Sequence, residues 1–306
     1  MTAPEPEPAV EAGVAPRCSF AARRRGDPLA GTAAPAFGFL LIEQPGPWGR
    51  FALTQSRLDP QVGRAVSDRA VAAGLRALLI RRPGRPDATA GPRRWAVVDA
   101  RPGRETTRWG TFDDDRELLD VPLDGVGAPT SEPFYLVCTH GRHDACCAIH
   151  GRPVAAALAT RLPEQTWECS HVGGDRFAAN LVAMPHGLYY GEVDAESVLE
   201  VAEAHARGHV VPRLVRGRSR WLPAAQAAQE HARATYGDTR IGAYEPAGTL
   251  PLGDGRWQVR LHHGAGHLLV TVAMAAGGEP GLLTCHATRS AHPPAFRVTS
   301  VVELGG

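Results

Sequence analysis

Between Cys138 and Gly191 the chain reads CTHGRHDACCAIHGRPVAAAL, a short gap, then WECSHVGGDRFAANLVAMPHGLYYGEV. Four of the six cysteines lie here, at 138, 146, 147 and 169, and His171 follows two positions after the last. Soft ligands gathered at the ends of predicted strands and at the mouth of a predicted helix point to a metal or redox centre rather than to ordinary packing. Cys138 ends a strand and Cys147 opens a helix. The intervening loop THGRHDAC offers glycine and polar groups that can wrap a cofactor. A helix N-terminus and loop amides favour thiolate and donate hydrogen bonds to sulfur, as iron–sulfur centres require. The next strand delivers Cys169 and His171, two apart and therefore on one side. Gly173 and Gly174 then let backbone approach a bulky group before Asp175.

Other residues of the segment have plainer expected roles. Whichever of Cys146 and Cys147 is not a ligand reads as a small buried apolar group at the helix start. Cys169, inside a strand, reads first as core packing. Cys18 and Cys285, remote in sequence, read as structural. His140, His143 and His150 read as exposed loop or helix residues. Arg176 is expected to pair with a carboxylate or an anionic centre, and Asp144 to cap the helix or stabilise the loop.

The elements that would position these groups follow from pattern. Residues 1–16, acidic and rich in Pro and Ala, read as a disordered tail without the basic and apolar regions of a secretory signal. Residues 17–130 read as an α/β unit. It has a strand at 37–44, a helical pattern over 61–77, and strands at 77–82 and 94–100. Arg57 and the arginines of 81–85 read as solvated surface. Residues 131–208 read as a second unit: strands at 134–138 and 166–171, a helix from Cys147 to Leu162, a hairpin about His186–Gly187, and a last helix capped by Asp194. The order β-α-β-(α)-β-β-α is that of a thioredoxin-like domain. Residues 209–306 read as a C-terminal extension: a linker, an amphipathic helix at 222–237, and strands at 256–263, 267–274 and 296–304. The expected fold class is thus α/β, with the cysteine-bearing thioredoxin-like domain preceded by a second α/β unit of similar β-α-β order and followed by a small α+β appendage.

Composition sets limits. At 306 residues the chain can bury a sizeable core. A net charge of +1 gives no reason to expect nucleic acid or an anionic membrane as a partner. All 33 basic residues are arginine, which rules out a Schiff-base or P-loop lysine. No apolar run is long enough to span a bilayer. The expected location is the cytoplasm, where clustered cysteines more often bind metal or react than form disulfides.

Across CSFAARRRGDPLAGTA, LLIEQPGPWG, CTHGRHDACCA, GRPVA, HVGGDRFAANL and PHGLYYG, residues 17–222, the sequence resembles the sucrase/ferredoxin-like family of thioredoxin-like [2Fe-2S] proteins, in its actinobacterial type. The resemblance implies a [2Fe-2S] cluster held by two cysteines of the first loop and two residues of the H-x-G-G-x loop. Fungal members use two cysteines and two histidines, the latter spaced H-x-x-x-H. Carried onto this chain, the ligands are Cys138, Cys147 and His171, with Asp175 where the second histidine would stand. Cys169 and Cys146 are alternates. Histidine in place of thiolate removes negative charge and raises the potential; an imidazole that can lose a proton would couple that potential to pH.

The leading functional expectation is an electron carrier rather than a catalyst. Its redox partner, a reductase or an oxygenase, would dock near 139–146 and 172–177. A thiol-redox protein is a second reading, weakened by the lack of C-x-x-C. A structural zinc site of Cys138, Cys147, Cys169 and His171 is a third. No carboxylate pair suits glycoside hydrolysis.

Overall fold

A computed structural model describes residues 17–84, 91–124 and 127–305. The expected tail at 1–16 and Arg85 lie outside the described residues. In chain order the elements are α1 (Cys18–Arg25), β1 (Gly38–Glu43), α2 (Pro60–Ala72), β2 (Leu75–Arg81), β3 (Arg93–Asp99), β4 (Thr106–Phe112), β5 (Phe134–Cys138), α3 (Ala145–Ala159), β6 (Thr166–Cys169), β7 (Leu181–Met184), β8 (Leu188–Tyr190), α4 (Ser197–Ala206), β9 (Val215–Arg218), α5 (Pro223–Tyr236), β10 (Pro246–Gly253), β11 (Arg256–His263), β12 (Gly266–Ala276) and β13 (Pro294–Leu304). Short 3-10 turns lie at Asp115–Leu119 and Asp175–Phe177.

Strands β1 to β9 form one mixed sheet in the order β4-β3-β1-β2-β6-β5-β7-β8-β9. Each half repeats one connectivity. In the first, β1 runs parallel to β2 across α2, then β3 and β4 follow antiparallel. In the second, β5 runs parallel to β6 across α3, then β7 and β8 follow antiparallel. The halves meet where β2 pairs antiparallel with β6, at Ile80↔Cys169 and Arg81↔Glu168. That joint is tied by an Arg81–Glu168 ion pair at 2.7 Å and by Arg82 stacked 3.8 Å over the ring of Trp167.

Alternation along the strands sorts the core. Leu40, Ile42, Leu79 and Val97 pack under α2, while Val137, Leu181 and Tyr190 pack with Val154, Leu158, Val198 and Val201 of α3 and α4. The opposite face is one apolar layer running through both halves, from Phe39 and Ile80 to Trp167, Cys169 and Met184. Asp194 caps the start of α4, accepting from the backbone N–H of Ser197 at 2.8 Å.

Three strands depart from expectation, β10 among them, whose PAGTLPLG carries two prolines and two glycines. β4 carries the pattern TTRWGTF, in which Arg108 and Gly110 break the apolar alternation. β9 lies inside the expected linker, yet all four of its residues are buried, Arg216 and Arg218 included. Buried guanidinium groups are tolerable there because each is densely hydrogen-bonded. Beyond β9, the alanine-rich face of α5 packs on Val259, Leu261, Val270 and Val272 of a separate antiparallel sheet, β10-β11-β12-β13.

Candidate metal centre

The site forms at the carboxyl ends of the parallel pair β5 and β6, where the strand ends and the start of α3 converge. Asp144 caps α3 through its Oδ1, which accepts from the Cys146 amide at 2.9 Å. The helix lies so close to β5 that a Cβ on Gly151 would stand 2.1 Å from the carbonyl oxygen of Cys138. Glycine is therefore the residue that lets α3 bring Cys147 over the end of β5. Cys147 and Cys138 are both buried.

The third and fourth groups arrive on a tight loop. Gly173 and Gly174 take φ of 92° and 79°, the left-handed region, and turn the chain so that Asp175 returns to His171. The loop is held from beneath by Arg216. Its Nη1 donates to the Gly173 carbonyl at 2.8 Å and to Asn180 Oδ1 at 2.7 Å, and its Nε donates to Thr32 Oγ1 at 3.0 Å. Asn180 in turn donates to the Gly174 carbonyl at 2.8 Å.

Cys138, Cys147 and His171 present ligand atoms within 4.8 Å of one another, and His143, His171 and Asp175 form a second such triad sharing His171. His171 Nδ1 lies 3.0 Å from Asp175 Oδ1, at ion-pair distance but off the line of a good hydrogen bond, so this buried nitrogen has no well-formed partner. The S–H of Cys147 stands 3.2 Å from Asp175 Oδ1 and also near the Cys138 sulfur; it can serve one acceptor at a time. Hydrogen bonding from Cys147 pulls the Cys138 thiol well below its ordinary value, with His171 and the His140 backbone assisting against burial. Cys147 is pushed up, first by sharing its proton with Cys138 and then by burial. Burial opposes charge on His171, but Asp175 and Cys138 outweigh it and raise the ring to about 9. The same contact holds Asp175 below its ordinary value despite burial.

The residues predicted as ligands from the family resemblance, Cys138, Cys147, His171 and Asp175, thus stand together. Of the two alternates, Cys169 is the cross-strand neighbour of Cys138 and packs with it and Cys147 in the same apolar layer, where burial drives its pKa well up, but its sulfur belongs to neither ligand triad. Cys146 precedes Cys147 by one helical step of about 100° and faces away from β5. It meets Cys18 and Cys285, with sulfurs 3.7 and 3.3 Å away. Those two cysteines, remote in sequence, were expected to be structural, and the fold brings them together.

The histidines also differ from expectation. His140 is buried because the β1–α2 loop folds over it. Its Nε2 donates to the Gly49 carbonyl at 2.6 Å, and its Nδ1 accepts from the His171 amide at 3.2 Å. Those two bonds define one neutral tautomer. His143 stacks on His171 at 3.7 Å between ring centroids and 16° between planes. His150 contacts Ser19 Oγ at 3.1 Å. Arg176 pairs with Asp27 at 3.3 Å, as expected for a carboxylate partner. Asp144 is the helix cap that was expected.

The family assignment is direct: the chain belongs to the sucrase/ferredoxin-like family, whose model matches residues 29–217. No curated protein matches the chain. Among solved structures it is similar to two single cysteine-to-serine variants of the thioredoxin-like [2Fe-2S] ferredoxin from Aquifex aeolicus. Each is 25% identical, covering 28% of this chain and 97% of that chain, with a TM-score of 0.24. No helix among the described residues is long and apolar enough to cross a membrane.

Proposed function

We propose that this chain is a one-electron carrier whose [2Fe-2S] cluster is held by Cys138, Cys147, His171 and Asp175. The observation that carries the reading is the buried convergence of two thiols, an imidazole and a carboxylate at the carboxyl ends of two central strands. Two features of the surroundings suit such a group. The buried Nδ1 of His171 lacks a well-formed partner. Arg216, with its pKa lowered by burial to about 10, keeps its charge at neutral pH without a carboxylate at ion-pair distance among the described residues. A buried cation of that kind favours an anionic neighbour.

When bound, the cluster supplies a reversible one-electron couple tuned by ligand charge and hydrogen bonding. The protein's own groups do the rest. Cys138 and Cys147 offer thiolate sulfur at a helix mouth. The Gly173–Gly174 turn, fixed by Arg216 and Asn180, holds His171 and Asp175 opposite them. His140 fixes the His171 backbone and keeps water from the Cys138 side.

His143 and His171 border an open cleft of about 320 Å³ that also exposes Arg50, Arg64 and Arg76. We place the redox partner there, a reductase or oxygenase with an acidic rim, so that electrons cross at the imidazole edge. The expected cytoplasmic setting would keep all six cysteines reduced for these roles.

The test is anaerobic purification followed by iron, sulfide and visible-absorption measurement. A red-brown protein with about two iron and two sulfide per chain supports the proposal. A colourless protein that takes up neither after anaerobic reconstitution overturns it.

A further inference from the structure

We propose a second metal site, a structural zinc held by Cys18, Cys146 and Cys285 with a carboxylate oxygen of Asp144 as the fourth donor. The three sulfurs come from α1, the first turn of α3 and the segment between β12 and β13. Cys18 and Cys146 are separated by 128 positions and Cys146 and Cys285 by 139. They nevertheless form a near-equilateral triangle with edges of 3.7, 3.3 and 3.5 Å. Tetrahedral zinc with sulfur at about 2.3 Å requires edges of about 3.8 Å between its thiolates. The triangle is therefore the face of such a tetrahedron, slightly contracted.

The rest of the pocket is built for the same purpose. Asp144 is fully buried, and its oxygens stand 3.8 and 3.9 Å from the Cys18 sulfur, at the spacing of a fourth vertex. Both oxygens are held by backbone amides: Oδ1 by Cys146 at 2.9 Å and Oδ2 by Cys285 at 2.7 Å. Each oxygen retains a lone pair for a cation. Ser19 Oγ, 3.2 Å from the Cys146 sulfur, and His150 behind it form an outer layer of donors.

A disulfide accounts for this arrangement less well. Any bridge would join two of the three sulfurs and strand the third, and all three separations far exceed the bonded distance of about 2.05 Å. A thiolate-preferring d¹⁰ cation uses all of them. It would pin α1 and the C-terminal segment to the start of α3, one residue from Cys147, and so brace the iron site without taking part in electron transfer. The inference stands on its own residues and does not require the cluster.

The experiment measures zinc and iron per chain, after a chelator wash, in the full-length wild type and in Cys285→Ser, Cys18→Ser and Cys147→Ser. About one tightly held zinc is expected in the wild type and in Cys147→Ser, falling at least tenfold in Cys285→Ser and Cys18→Ser with iron retained. Cobalt(II) added to zinc-stripped protein should give the thiolate charge-transfer band of a tetrahedral sulfur site, absent in Cys285→Ser. Cys285 is only half-buried, so that variant remains informative if Cys18→Ser does not fold. Zinc absent from the wild type, zinc retained in Cys285→Ser, zinc lost only in Cys147→Ser, or a Cys18–Cys146 disulfide in anaerobically prepared protein would each overturn the proposal.

Discussion

Gly151→Ala separates two opposing effects on α3. In an exposed helix interior, alanine is favoured over glycine by about 1 kcal/mol. Here the added methyl would lie 2.1 Å from the Cys138 carbonyl oxygen and 3.1 Å from its carbon, both of them backbone atoms at the end of a central strand. Restoring ordinary contact requires α3 and β5 to part by about 1 Å. Overpacking of this kind costs roughly 1–3 kcal/mol, which offsets the propensity gain and leaves a net loss of about 0–2 kcal/mol. At about 2–4 °C per kcal/mol, the midpoint of thermal unfolding should fall by up to about 8 °C. The same displacement carries Cys147 away from Cys138, so iron content should drop by more than half even where the variant is folded. Thermal and urea unfolding, with iron analysis on the same samples, measure both. A variant equal to or more stable than the wild type with full iron would show that the close approach of α3 to β5 does not position the thiols.

Three further outcomes follow from other parts of the molecule. Arg216→Met should leave the Gly173 carbonyl and the Asn180 side-chain oxygen without their donor and remove a buried positive charge, lowering the midpoint potential and speeding iron loss to a chelator; an unchanged potential would contradict that role. Asp175→His should keep the cluster and raise its potential, read by redox titration, because a neutral imidazole replaces a carboxylate; loss of all iron would argue against Asp175 as a ligand position. His205 is held neutral, its pKa lowered to about 3 by burial and by the nearby His186. The unfolded chain, with histidine near 6.5, takes up the proton first, so stability is full above that pH and falls between pH 6.5 and about 3. About 2 kcal/mol should be lost by pH 5. His205→Phe should flatten that part of the unfolding-versus-pH curve, and an unchanged slope would remove His205 as its source.

Strongly patterned elements were legible in the sequence. FYLVC and RWQVRLHH form strands with the expected bounds, because uninterrupted or alternating apolar residues leave little choice of period. The juxtaposition of Cys138, Cys147, His171 and Asp175 was reached through family resemblance, helped locally by the glycine pair before Asp175. What could not be read was set by long-range contact. β9 hides in a linker-like LVRGRSR stretch because its arginines are buried on hydrogen bonds to groups far away in sequence, such as Thr32 and Asn180. The burial of His140 depends on Gly49, and the trio of Cys18, Cys146 and Cys285 on three remote segments. Such pairings leave no periodic trace, although the adjacency of Cys146 and Cys147 was a signal that two directions around one helix were both occupied by sulfur.

The most direct test of the account compares Cys147→Ser with Cys146→Ser, adjacent residues assigned to different centres. Anaerobically prepared protein should lose the iron, the sulfide and the visible bands in Cys147→Ser and retain them in Cys146→Ser. Iron retained in Cys147→Ser and lost in Cys146→Ser would contradict the placement of the cluster between Cys138, Cys147, His171 and Asp175.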